Sequence, residues 1–187
     1  MADDGMSIND LRQRQARALG VQFHPDYNKS LSELHQRVVQ AQLQVRATID
    51  DMGWVGFEDP DLGELTINLR EDNPEFMRIT CMIFKDYKDH NDRGASEDII
   101  GVCNRVNTQL NCSMDLARLS VRTSSGIVVY ASVALLLAAS RGDALPKGYF
   151  EMPDEAFLRA VIVRAMSSLK AAAKEFADEL QKAPIVY

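Results

Sequence analysis

The residues of this chain best able to do chemistry are its three cysteines, its three histidines and one cluster of acids. A metal site would need ligands converging at short, recognised spacings. Cys103 and Cys112 have no second cysteine pair to complete a set, and His24, His35 and His90 are scattered over linker, helix and loop. Cys103 falls within an apolar helical stripe and Cys81 on an inward strand face, so both read as core residues. Cys112 is the candidate exposed thiol, and no base is evident beside it to make it a thiolate. In "DYKDHNDRG", Asp86, Asp89, His90 and Asp92 would suit calcium or acid–base work. The glycine and closing glutamate of an EF-hand loop are missing from their offsets, so the stretch is expected to be a polar surface loop. Neither a P-loop, nor the dinucleotide glycine fingerprint, nor Gly-x-Ser-x-Gly occurs. The sequence therefore specifies no catalytic residue, no metal ligand and no cofactor, and a non-enzymatic protein is expected.

Composition narrows the class further. A chain of 187 residues with 46% hydrophobic and 26% charged residues is long enough for one soluble domain with a real core. A formal charge of -6 argues against a nucleic-acid surface, which would concentrate Lys and Arg. Arg12, Arg14 and Arg17 do cluster, but Asp3, Asp4 and Asp10 offset them. The first residues hold acids and arginines where a secretory signal would hold an apolar run, and the cysteine number is odd. Both features lead to an expectation of a reducing cytoplasm.

Residues 1–28 read as an amino-terminal tail or docking segment, and residues 29–187 as a single domain. Ser30-Leu-Ser-Glu33 fits a capping box. Leu31, Leu34, Val38, Ala41, Val45, Ile49 and Met52 follow at helical spacing, with Gly53 as the stop. Three strands are expected next: "WVGFE", then Leu65 to Leu69, then Met77 to Phe84, with turns at Asp59-Pro-Asp-Leu-Gly63 and Asn73-Pro74. Ser96 is placed to cap a second helix with Ile99, Val102, Cys103, Val106 and Leu110 as its buried stripe. "LARLSVR" alternates, and Thr123-Ser-Ser-Gly126 turns the chain into "SGIVVYASVALLLAASRG". The last helix starts near Pro153 and buries Leu158, Ile162, Ala165, Leu169, Ala172, Phe176 and Leu180. The order is α-βββ-α-ββ-α, an α+β domain with a two-layer, five-stranded antiparallel sheet packed by helices.

The apolar run from Ile127 to Ala139 cannot be a membrane span. As a helix it would cover about 20 Å against roughly 30 Å of hydrocarbon. As a strand it faces Ile127, Val129, Ala131, Val133 and Leu135 to the core. Its other face, Val128, Tyr130, Ser132, Ala134 and Leu136, is scarcely polar, and a strand apolar on both sides is usually covered on both.

"IIGVCNRVNTQLNCSMDLARLSVRTSSGIVVYASVAL" (residues 99–135) resembles the central block of the YbjN family, whose members are often labelled bacterial sensory transduction regulators. The element order also looks like the fold of class I type III secretion chaperones. The resemblance extends from about Ser30 to Lys182. It implies a two-layer domain, commonly dimeric, that binds proteins and has no catalytic residues to transfer. The expected function is a chaperone-like or regulatory module acting as a homodimer. Its candidate surface is Met82, Phe84, Val128, Tyr130, Ala134 and Leu136. The alternatives are an amino-terminal helix folded over that face, a sensor holding a small apolar ligand between helix and sheet, or an enzyme with an unrecognised site.

Overall fold

The computed structural model describes residues 27–70, 73–86, 93–123, 126–136 and 153–182, with Arg14 besides. The elements are α1 (Tyr27–Leu43), β1 (Ala47–Ile49), β2 (Val55–Asp59), β3 (Gly63–Arg70), β4 (Asn73–Asp86), α2 (Arg93–Cys112), β5 (Ala117–Arg122), β6 (Ile127–Leu136) and α3 (Glu155–Lys182). The sheet is antiparallel and six-stranded, in the order β1-β2-β3-β4-β6-β5. The α+β class and the helix-packed antiparallel sheet are as expected, with one strand more.

The extra strand comes from the first helix ending early. Gln44 adopts a left-handed φ of 56°, which closes α1 after Leu43. The β-branched Thr48 and Ile49 then extend, and Ala47–Ile49 pairs with Val55–Phe57. Asp50 Oδ1 accepts the N–H groups of Met52 and Trp54, so the stretch expected as the helix's last turn is the β1–β2 connection. The same helix starts at Tyr27, which places the Ser30–Glu33 pair inside its first turns. The amino-terminal tail, the "DYKDHNDRG" acids beyond Asp86 and the carboxy-terminal "APIVY" lie outside the described residues.

The apolar stripes do the packing their spacing predicts. Leu31, Leu34, Val38 and Val39 of α1, Ile99, Val102, Cys103, Val106 and Leu110 of α2, and Leu158, Ile162, Ala165, Leu169, Ala172 and Phe176 of α3 share one buried cluster with the sheet. Each large member contributes roughly 1.5–3 kcal/mol when fully withdrawn from water. α3 touches both α1 and α2, so the helices form one layer over one face. Asp154 caps α3: its backbone carbonyl takes the Leu158 N–H and its carboxylate the Phe157 N–H. Lys170 of α3 reaches Asp59 at 3.1 Å and Asp61 at 2.6 Å, tying the helix to the β2–β3 turn. That turn closes at Gly63, whose φ of +70° admits glycine without strain.

β6 is the expected strand. Val129, Ala131 and Val133 are fully buried toward the helices, and Ile127 and Leu135 pack at the margin. Among the described residues no helix is long and apolar enough to cross a membrane.

Candidate functional site on the open sheet face

The cysteines are placed where their sequence context puts them. Cys81 and Cys103 are buried and Cys112 is exposed, all three free. Burial pushes both inner thiols up to about 11. A disulfide-exchange reagent is therefore expected to titrate Cys112 in the native protein and to reach Cys81 and Cys103 only after denaturation. More than one fast-reacting thiol among the described cysteines would contradict this placement. Among the described residues no group of three His, Cys, Asp or Glu side chains is arranged to hold a metal ion.

Binding surfaces are better defined. Sheet edges are the usual place for an added strand, because an edge presents unpaired N–H and C=O groups. Here a side-chain amide from a helix meets each edge at one residue. At β1, Gln36 and Gln40 of α1 donate to the Ala47 carbonyl at 2.9 and 3.1 Å. At β5, Asn107 of α2 donates to the Leu119 carbonyl at 3.0 Å and accepts the Leu119 N–H at 2.8 Å. Asn107 thus uses the two backbone groups that an incoming strand would need.

The face opposite the helices is different: no described element covers it. Its composition follows from the register. One row runs from Glu58 through Glu64, continues one step past the Leu65–Cys81 pair to Met82, and ends at Tyr130 and Ser120. The next row is Thr48, Gly56, Thr66, Thr80, Ser132 and Arg118. Beyond it stand Asn68, Arg78 and Ala134, and on the other side Lys85, Val128 and Arg122. Met82, Ala134 and the arginines are exposed and Tyr130 is half-buried. The Arg122 guanidinium lies 5.7 Å from the Tyr130 ring centroid, a cation–π arrangement that holds both side chains on this face. A shallow depression of about 640 Å³ near its β1–β3 end is lined by Arg46, Thr48, Gly56, Glu58, Pro60, Glu64 and Thr66, among others.

Of the six residues singled out by sequence, Met82, Tyr130 and Ala134 are brought together here. Val128 shares the face but is only 7% exposed and lies outside the core cluster. Phe84 is a correction. A β-bulge between Met82 and Phe84 adds one residue, so Phe84 pairs with the helix-facing Val129 and packs on Phe176 of α3, ring centroids 5.9 Å apart. Strict alternation put Phe84 beside Met82, and one extra residue sends it to the other side. The Leu136 backbone pairs with Phe76, and its side chain lies outside the described residues.

Sequence reasoning missed the polar surroundings of this patch. β6 is apolar on both sides, but its neighbours contribute Arg78, Thr80, Arg118, Ser120 and Arg122. Alternation along those strands already marks these residues as outward. The charges of this face are Arg46, Glu58 and Glu64 toward the β1–β3 end and Arg78, Lys85, Arg118 and Arg122 on the β4–β6–β5 half.

No family model matches the chain, and no curated protein matches it. Among solved structures it is similar to YbjN from E. coli, described provisionally as a transcription regulator, at 7% identity and a TM-score of 0.46, over 97% of this chain and 96% of the other.

Proposed function

We propose that this chain is a non-enzymatic protein-binding module, chaperone-like or regulatory, which works as a homodimer and docks proteins on the open face of its sheet. One observation carries this reading: a whole face of the sheet has no described cover, while a helix amide already meets each sheet edge at one residue. The face also has the composition of a docking surface. Tyr, Met and Arg are enriched where proteins meet, and the hydroxyls around them supply hydrogen bonds without a deep apolar patch. A mixed surface of this kind suits an interface that opens and closes better than a permanent one, which would be more apolar. The three free cysteines accord with a reducing compartment such as the cytoplasm.

Sedimentation velocity over a concentration series tests it. The wild type is expected to shift from monomer to dimer. Tyr130→Asp, which puts a charge at the centre of the face without touching the core, is expected to stay monomeric with an unchanged melting temperature. Identical behaviour of the two proteins removes the sheet face as the docking surface.

A further inference from the structure

The charges of the open face carry a more specific conclusion, which rests on that face being a protein interface. We propose that the partner it receives, when no second copy covers it, is an acidic segment of another protein. The segment lies along β6, between the cations of β4 and β5.

The face is cationic on a chain that is not. Toward β1 its charges are Arg46, one step past the Ala47–Phe57 pair and so beside Glu58, and Glu64 across from Glu58. On the other half they are Arg78, Lys85, Arg118 and Arg122, and among the described residues no acid faces outward from β4, β6 or β5. All seven side chains are exposed. The five cations outnumber the two acids, although the whole chain has a net charge of -6. Both signs meet at the β1–β3 end, where Arg46 stands beside the glutamates. The β4–β6–β5 half carries one sign alone. There Arg78, Arg118 and Arg122 reach no carboxylate among the described residues, and Arg118 meets only the carbonyls of Asp115 and Ala117.

The register arranges these cations as a rim. Arg78 stands across from Ala134, Arg118 from Ser132, and Lys85 and Arg122 from Val128 on its two sides. From the Arg78 row to the Lys85 row is three steps, roughly 20 Å at about 7 Å per two residues. β4 and β5 lie about 10 Å apart across β6, since neighbouring strands are about 4.8 Å apart. The floor between them is low at the small Ala134 and Ser132. It is apolar at Tyr130, beside which the Arg122 guanidinium sits 5.7 Å from the ring centroid, and at Met82, which is 43% exposed. About six extended residues cover that length. Their carboxylates reach the arginines on both sides as charge-assisted pairs, while an apolar side chain rests on Tyr130 and Met82. Complementary charge of this kind selects the sign of the partner and speeds its encounter. A nucleic acid would meet the same cations, yet the face suits it less. Stacking needs several open rings, and on this half the described residues offer only Tyr130, itself half-buried. Glu58 and Glu64 would also oppose a longer phosphate backbone crossing the sheet.

Two peptides of opposite sign test the assignment. One has about a dozen residues, Glu throughout with Leu at every fourth position, and in the other Lys replaces each Glu. Both are fluorescently labelled, and anisotropy is followed at chain concentrations where sedimentation shows a monomer. The wild type is expected to bind the Glu peptide at least tenfold more tightly than the Lys peptide, and more weakly as added salt screens the charges. Arg78→Glu with Arg118→Glu, both on exposed residues outside the core, is expected to weaken the Glu peptide at least tenfold. Arg46→Glu, at the far end of the face, is expected to weaken it less than threefold. Equal binding of the two peptides, binding of neither, or an Arg46→Glu loss as large as that of the pair overturns the acidic partner. An oligothymidine of similar length that binds more tightly than the Glu peptide overturns it too, since the cations then serve phosphates. Any of these results leaves the docking face standing if Tyr130→Asp still abolishes dimerisation; if it does not, both readings fall. Unfolding curves check that the variants fold, and the single changes Arg78→Glu and Arg118→Glu repeat the measurement if the pair does not.

Discussion

Lowering the pH from 6.5 to about 4.5 is expected to cost this protein roughly 2 kcal/mol of stability, through one residue, His35. The ring is completely buried on α1, among the stripe that carries Leu31, Leu34, Val38 and Val39. Neither ring nitrogen has a hydrogen-bond partner among the described residues. Burial lowers its pKa from the ordinary 6.5 to about 4, since a charged imidazolium there would face the core unsolvated. The folded chain therefore holds a neutral ring across a range in which the unfolded chain takes up a proton. Wherever the unfolded state binds more protons, stability rises with pH. The contribution is thus whole above 6.5 and is lost on acidification at about 1.4 kcal/mol per pH unit until the folded ring itself titrates. Glu155 and Glu179 fall outside this window. The bond from Arg159, helped by Arg37, lowers Glu155, and that from Lys182, helped by Arg105, lowers Glu179, so their contributions fade only below the ordinary value of 4.5. Urea unfolding of wild type and His35→Leu at pH 7, 6, 5 and 4.5 separates the terms. The wild-type free energy should slope and the variant's should be nearly flat. The variant should also gain about 1 kcal/mol at pH 7, because it removes two buried polar atoms without partners. Parallel slopes would mean that His35 is not the titrating group.

How much of this was legible in the sequence depends on whether local spacing or tertiary position decides each residue's role. The stripes of α1, α2 and α3 and the alternation of β6 are local, and the structure packs them as spacing requires. The end of α1 is not: Ala41, Val45, Ile49 and Met52 continue a helical period, yet Gln44 breaks it and Ala47–Ile49 finds β2. A three-residue strand has too few residues for alternation to register. The bulge that turns Phe84 inward leaves no sequence signature either, since Met82, Ile83 and Phe84 are all apolar and fit both faces. The site suffered from reading β6 alone. Its greasy outer side suggested an apolar patch, and only the pairing with β4 and β5 shows that arginines and hydroxyls surround it. The chemistry of a sheet face belongs to several strands at once, so it becomes visible when the register is known.

That dependence is sharpest at Asn107, which sequence presents as one more polar residue on the outside of a helix. Replacing it with leucine is expected to cost about 2–3 kcal/mol, more than an ordinary surface change. The side chain donates to and accepts from the same residue, Leu119, which is itself 6% exposed. Leucine removes both bonds at once and leaves an N–H and a C=O unpaired in partly buried surroundings, each worth about 1–3 kcal/mol in full burial and less where water can enter. Asn107→Asp separates the two halves of the effect, since it can still accept the Leu119 N–H but cannot donate to the carbonyl. Its loss should be smaller. Hydrogen exchange gives the local readout: the Leu119 amide should exchange at least tenfold faster in Asn107→Leu, with distant α3 amides unchanged after correction for global stability. The freed edge should also recruit other chains, so the variant is expected to aggregate at concentrations where wild type does not. The β1 edge supplies the control, because Gln36 and Gln40 both serve the Ala47 carbonyl and either can cover for the other. Gln36→Leu should therefore change stability little. If Asn107→Leu proves equally mild and Leu119 stays protected, the β5 edge is not closed by this amide, and strand addition there returns as a rival to docking on the open face.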